Sequence, residues 1–174
     1  MFEAPARAEY SGSVAAVVPA IYATSPVPQK LGAASRLVAA LAAGACLAVL
    51  VVATTLEPSP AGLGTHRDMG FPSCNFLSVS GIPCPSCGMT TSFAWFVRGN
   101  ILASVYVQPA GAMLATFAGV TFWAGLYIAV TGKPVYRLLS RLPGPYFVLV
   151  PVGIGIAAWA WKIFLHLRGI DGWG

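Results

Sequence analysis

The pattern of apolar positions along the chain predicts three helices long enough to cross a lipid bilayer. Each is a stretch of about 20 residues with almost no charge, a length that covers a hydrocarbon core of about 30 Å at 1.5 Å per residue. The stretches are residues 37–56, 109–131 and 145–165. Pro109 suits the first turn of the second helix, and Pro151 predicts a kink in the third. We therefore expect an all-α membrane protein with three transmembrane helices.

Polar and aromatic residues near the end of the third stretch predict where this helix meets the membrane surface. Trp159 and Trp161 are typical of an aromatic belt at one interface. Lys162 is expected to extend its stem toward the lipid headgroups, and His166 is interpreted as an interfacial residue. At the other end of the chain, residues 1–36 have no sustained period and are expected to form a flexible tail.

Composition excludes an ordinary soluble protein. The chain is 57% hydrophobic and 9% charged, whereas a soluble domain carries about a quarter charged residues. Its ten basic residues are scattered singly, which excludes a basic face that follows nucleic-acid phosphates. The expected partners are the lipid bilayer and, as candidates, another membrane protein or a second copy of this chain.

The distribution of basic residues predicts the orientation of the chain. Six flank the helix ends on one side of the membrane and four flank the ends on the other side. By the positive-inside rule, the amino terminus then lies on the cytoplasmic side of the membrane, and the loop of residues 57–108 lies on the opposite side. The two groups are Arg7, Lys30, Arg36, Lys133, Arg137 and Arg141, and Arg67, Arg98, Lys162 and Arg168.

This long first loop, residues 57–108, is expected to contain one or two short helices, because unstructured loops of such length are uncommon. An amphipathic helix is predicted over Met89–Val97, with Phe93 on its apolar face and Thr91 off it. Thr90, Thr91 and Ser92 are expected to cap it, and the alternative is that they line a polar pocket. A second helix should follow Asn100, a good N-cap residue. Both are too short to span, so they should lie at the membrane interface, packed on the long helices.

The loop also carries a candidate metal site. Residues 84–88 read Cys-Pro-Ser-Cys-Gly, a knuckle in which two intervening residues let both sulfurs face one centre and the glycine allows a tight turn. Such a knuckle supplies half of a tetrahedral zinc site. Cys74 and His66 stand upstream and complete a set of four. We expect Cys74, Cys84 and Cys87 to lie within reach of one centre, with His66 as a weaker fourth ligand and Zn as the candidate cofactor.

Three other interpretations of these cysteines stay open. Cys74 could pair with Cys84 or Cys87 as a structural disulfide outside the cell. A Cys-x-x-Cys pair that enters a helix could instead be a redox dithiol, or the cysteines could be packing residues, as we expect for Cys46. A close cluster with His66 turned away would favour a disulfide plus one free thiol over a mononuclear zinc site.

The run from Gly81 to Thr91 resembles the signature of a bacterial membrane family known as domain of unknown function 2752. In that family Cys-Pro-x-Cys-Gly precedes Leu or Met and Thr, a short helix, a Gly-Asn or Gly-Asp step, and an Asn-Pro pair that opens the next span. Here the later features are Gly99-Asn100 and Gln108-Pro109, with glutamine in place of asparagine. Thr91 stands where many members have arginine, and Cys74 matches an upstream cysteine. The resemblance covers roughly residues 58–131 and implies a small integral protein of the bacterial cytoplasmic (inner) membrane without an established activity.

The residues themselves favour a protein that is not an enzyme. The sequence has no Ser-His-Asp arrangement, no paired intramembrane carboxylates, no phosphate loop and no charge deep in a span. We therefore expect a scaffold or accessory subunit with no catalytic residues. The alternative is a membrane-bound thiol–disulfide or metal-handling protein that uses Cys84 and Cys87. Only the alternative predicts that a change at Cys87 abolishes activity without unfolding the protein.

Overall fold

A computed structural model of the chain describes residues 30–133 and 146–173, and within these ranges it is helical and contains no strand. The expected all-α architecture is confirmed. Three of the described helices, α1 (Ala33–Thr55), α5 (Pro109–Thr131) and α6 (Tyr146–Arg168), are long and apolar enough to cross a membrane. The described elements are α1 (Ala33–Thr55), a 3₁₀ turn (Thr65–Met69), α2 (Asn75–Ser80), α3 (Met89–Val97), α4 (Ile101–Val107), α5 (Pro109–Thr131) and α6 (Tyr146–Arg168).

The first long helix begins at Ala33, so the expected flexible tail is wrong for residues 33–36. Arg36, in the first turn, donates hydrogen bonds to the carbonyl of Ala129 at 2.7 and 2.9 Å and to that of Val130 at 3.1 Å. These carbonyls lie in the last turn of α5, where no intrahelical donor reaches them and the helix dipole favours a cation. This contact holds the start of α1 against the end of α5. Residues 1–29, Arg137 and Arg141 lie outside the described residues.

Helices α1 and α5 pack closely through small residues. A Cβ on Gly125 would lie 2.8 Å from the carbonyl oxygen of Ala39 and 3.0 Å from the Cβ of Ala43. Glycine therefore lets the two backbones approach, as at many helix contacts in membranes. The other faces of these helices expose large apolar side chains, such as Val38 and Trp123. Those faces suit contact with lipid tails.

The loop between α1 and α5 contains two more short elements than expected, the 3₁₀ turn and α2. The predicted helix α3 is present, but its buried face is the opposite of the one expected. Thr91 and Ser92 are fully buried, whereas Phe93 is half-buried. The cause is a hydrogen bond of 2.8 Å between the hydroxyls of Thr91 and Thr65. The N-cap of α3 is Gly88 and receives no side-chain hydrogen bond, so the predicted capping role is wrong.

Ser92 joins α3 to the next two helices. Its hydroxyl lies 2.9 Å from the carbonyl of Ser104 and 3.1 Å from that of Gln108, and it donates to them. A Cβ on Gly111 would lie 2.8 Å from the side chain of Ser92, so α5 also comes very close here. Asn100 caps α4 through a 3.0 Å bond from the amide of Ala103, as expected. The loop is thus held together by buried polar groups.

The end of α6 also differs from the expectation. Lys162 does not extend toward headgroups: its side chain is 0% exposed. Its Nζ lies 3.1 Å from Asp171 Oδ1 and donates to the carbonyl of Gly62 at 3.3 Å. The chain reverses at Gly169, where φ is +68°, and this turn returns Asp171 to Lys162. His166 Nδ1 contacts the other oxygen of Asp171 at 2.6 Å, so His166 also belongs to this buried group.

Candidate metal centre

Three cysteines of the loop converge on one point. Cys84 Sγ lies 3.5 Å from Cys74 Sγ and 3.2 Å from Cys87 Sγ. All three sulfur atoms lie within 4.8 Å of one another, close enough to bind a single metal ion. Cys87 is buried, and Cys74 and Cys84 are half-buried. The convergence that the sequence predicts is therefore found.

The local backbone explains how residues ten positions apart meet. Cys74 is the N-cap of α2, a helix of six residues that ends at Gly81 with φ of +70°. This short helix and its left-handed end fold the chain back, so that Cys84 returns to Cys74. In the knuckle, the amide of Cys87 donates to the carbonyl of Cys84 at 3.0 Å. Gly88 has φ of +85°, a conformation that favours glycine.

Side chains from the long helices hold the knuckle on both sides of Cys84. The indole Nε1 of Trp159, in α6, donates to the carbonyl of Pro83 at 2.9 Å. The amide Nε2 of Gln108, at the start of α5, donates to the carbonyl of Pro85 at 2.8 Å. Gln108 is fully buried. The sequence places Trp159 at the membrane interface. In the structure its indole forms a hydrogen bond that positions the cysteine loop.

Lys162 lies beside the knuckle. Its Nζ is 3.4 Å from the position that a Cβ on Gly88 would take, and the carbonyl oxygen of Gly62 is 2.9 Å from the same position. Any larger residue at position 88 would therefore clash with the carbonyl of Gly62 and would fit tightly against the side chain of Lys162. The buried ammonium group of Lys162 therefore lies next to Gly88, the residue that follows Cys87.

The two knuckle cysteines differ in acidity. Burial raises the pKa of Cys84, but hydrogen bonds with Ser86, Cys87 and Cys74 outweigh this effect and bring the pKa down to about 7. Burial raises the pKa of Cys87 to about 12, and the hydrogen bonds with Cys84 and Cys74 act in the same direction. In the metal-free protein, Cys84 is therefore the thiolate that its neighbours stabilise, and Cys87 remains a thiol.

The fourth residue expected at this site is elsewhere. His66 donates from Nε2 to the carbonyl of Pro72 at 3.1 Å and lies outside the group of three cysteines. Cys46 lies in the middle of α1. The structure thus brings together three of the four residues that the sequence singles out.

Sequence reasoning missed the supporting residues of this site. The sequence pattern presents Gln108 only as a replacement for the asparagine of the family pattern, and Trp159 only as an interfacial aromatic residue. A lysine in the last turns of an apolar helix followed closely by an aspartate, here Lys162 and Asp171, was a signal for a buried ion pair.

One comparison with known proteins gives a match. Residues 74–122 match a family model described as "Protein of unknown function (DUF2752)". The matched segment starts at Cys74, contains the whole knuckle and ends within α5, and it confirms the resemblance found in the sequence. No curated protein and no solved structure matches the chain.

Proposed function

We propose that this membrane protein is a non-enzymatic scaffold or accessory subunit of the bacterial cytoplasmic membrane, and that its cysteine loop presents a folded surface to a partner. The observation that carries this proposal is the way in which the loop is fixed. Trp159 and Gln108 hold the knuckle backbone, and Thr91 and Ser92 tie α3 to its neighbours through buried hydrogen bonds. A surface held in one conformation loses little conformational entropy when a partner binds to it.

The loop also exposes large apolar side chains. Phe71 is 59% exposed, Phe76 is 46% exposed and Val79 is 84% exposed. Phe76 and Val79 are three residues apart in α2, so they lie on one face of that helix. Exposed apolar groups that share a face are typical of surfaces that contact a protein or a membrane. We propose that this patch, Phe76 and Val79 together with Phe71 just before α2, contacts another membrane protein or a second copy of this chain.

The orientation belongs to the same proposal. The hydroxyl of Tyr106 donates to the carbonyl of Ile170 at 2.9 Å, so the loop and the carboxyl-terminal segment lie on the same side. The distribution of basic residues predicts that this side of the membrane is the extracytoplasmic side. An impermeant thiol label on intact cells tests this, with one new cysteine at a time. Ser59→Cys should be labelled and Ser140→Cys should not, and the reverse result would invert the orientation.

A photo-reactive residue tests the scaffold role in cells. Placed at Val79, it should form a cross-linked product of one discrete mass that contains this chain and a protein. The matched control is Val38, which is 65% exposed on the apolar surface of α1 and should react with lipid. If the position of Val79 gives only the lipid products of Val38, the patch contacts the bilayer and the scaffold proposal is wrong.

The cysteine cluster has a structural part in this proposal. Either a Zn²⁺ ion on the three sulfurs or a disulfide between two of them would close the loop. The competing function, thiol–disulfide exchange or metal transfer through Cys84 and Cys87, requires that these sulfurs react. The variant Cys87→Ser distinguishes the two functions, provided that thermal unfolding shows it to be folded. If the protein is a scaffold, the cross-link from position 79 should persist in this variant.

A further inference from the structure

We infer that Cys74, Cys84 and Cys87 bind one Zn²⁺ ion as a three-cysteine site, and that His66 is not a ligand. This inference goes beyond the scaffold proposal and stands on the geometry of the sulfur atoms and of the groups around them.

The three sulfurs form a compact triangle. With sides of 3.2 and 3.5 Å and a third side of at most 4.8 Å, the angle at Cys84 Sγ is at most about 90°. In thiol–disulfide exchange, a thiolate attacks one sulfur of a disulfide and the other sulfur leaves. This reaction is favoured when the three sulfur atoms lie roughly in a line. A triangle instead suits three ligands around one centre.

The distances are close to those that a metal requires. Thiolates bound to one Zn²⁺ at about 2.3 Å each lie about 3.8 Å apart in a tetrahedral site. The distances of 3.2 and 3.5 Å need to increase by only a few tenths of an ångström. A disulfide would bring two of the sulfurs to about 2.0 Å and would leave the third in contact with the bond. A metal ion is the arrangement that uses all three.

The charge of the site also favours Zn²⁺. Three thiolates and one Zn²⁺ ion carry one net negative charge, and the half-buried sulfurs of Cys74 and Cys84 leave this charge in contact with solvent. The nearby cation of Lys162 is already paired with Asp171, so it would offset little of a larger negative charge. Thiolate ligands also select Cu⁺, but Cu⁺ would leave two net negative charges.

The residues behind the site hold its ligands in place. Trp159 and Gln108 fix the carbonyls on either side of Cys84, which limits how far the knuckle can relax. Such outer groups orient metal ligands and raise metal affinity. The outer side is open, because Ser86 and Pro85 are exposed. A water molecule can therefore occupy the fourth position that zinc requires.

Metal analysis of the full chain, purified in detergent without chelators, tests this inference. We expect about one Zn²⁺ per chain and four reduced thiols after denaturation, Cys46 included. A metal-free protein with a disulfide among the three cysteines would overturn the inference, as would copper in place of zinc. Zn²⁺ returned to a stripped, reduced sample should slow alkylation of the three thiols about tenfold or more.

Single substitutions define the ligand set. Cys74→Ser, Cys84→Ser and Cys87→Ser should each lose bound zinc, while the matched controls Cys46→Ser and His66→Ala should retain it. Loss of zinc in His66→Ala would overturn the three-cysteine set. The wild-type measurements remain decisive where a cysteine variant fails to fold. The Val79 cross-link is measured separately, so absence of zinc would leave the scaffold proposal standing.

Discussion

The contact between α1 and α5 and the contacts that hold the loop in place depend on different kinds of side chain. The first relies on small apolar residues, with Gly125 placed against Ala39 and Ala43. The second relies on buried polar groups, among them Thr91, Gln108 and Lys162, each 0% exposed. Two ways of packing therefore occur in one short chain.

The difference follows from what each contact replaces. Lipid tails compete for the apolar faces of α1 and α5, so their association depends on close van der Waals contact. In the loop, each buried polar group has lost its hydrogen bonds to water. Only the hydrogen bond to its partner in the protein compensates for this cost of desolvation. A change of shape should therefore disturb the first contact, and the removal of one partner should disturb the second.

The largest effect is expected at the ion pair. Lys162→Met removes one of the two partners of Asp171, whose side chain is only 13% exposed, and leaves His166 as the other. The loss of this buried charge should lower the free energy of unfolding by about 3–5 kcal/mol. The exposed Arg168 provides the control, since Arg168→Met loses only a cation–π contact with Phe164, worth about 0.5–1 kcal/mol. Thermal unfolding in detergent measures both. Equal stability of the two variants would contradict the structural role of Lys162.

Shape is tested at the contact of α1 and α5. Gly125→Leu forces a side chain into the backbone of α1 and should cost about 3 kcal/mol. Gly119→Leu is the matched control in the same helix, because a Cβ there meets nothing within 4 Å. The same unfolding assay applies. If both variants unfold like the wild type, close packing does not hold the two helices together.

The loop hydroxyls give a smaller, polar effect. Thr91→Val keeps the shape of the residue but removes the partner of Thr65, at a cost of about 1–2 kcal/mol. Thr90→Val, one residue earlier and half-buried, should be close to neutral. The sequence predicts that Phe93→Asp is more damaging than Thr91→Asp, and the structure reverses this order because Thr91 is the buried residue. Tolerance of Thr91→Asp would restore the original assignment.

The long helices are predictable from the sequence because lipid imposes a local rule. A run of apolar residues of sufficient length must form a helix in the bilayer, and the predicted bounds of residues 109–131 are those of α5. Pro109 at the first position and Gly132 after the last supply the local start and stop.

The loop follows no such local rule. Trp159 and Pro83 are 76 positions apart, and Lys162 and Gly62 are 100 positions apart. No pattern of neighbouring residues indicates such pairs. The knuckle itself was predictable, since two sulfurs separated by two residues meet through local geometry. The position of Cys74 depends on α2, whose six residues carry no strong helical pattern.

The last comparison lies within the knuckle and changes neither of its two cysteines. In reduced, metal-stripped protein, Cys84 should react with iodoacetamide faster than Cys87, because the thiolate is the reactive form and their pKa values are about 7 and about 12. The rate at Cys84 should rise as the pH increases through about 7 and then level off. The rate at Cys87, which is also buried, should still be rising at pH values well above that. Mass spectrometry of peptides alkylated for short times measures each site, with Cys46→Ser to remove the fourth thiol. Equal rates at neutral pH would show that the hydrogen bonds to Cys84 do not stabilise its thiolate.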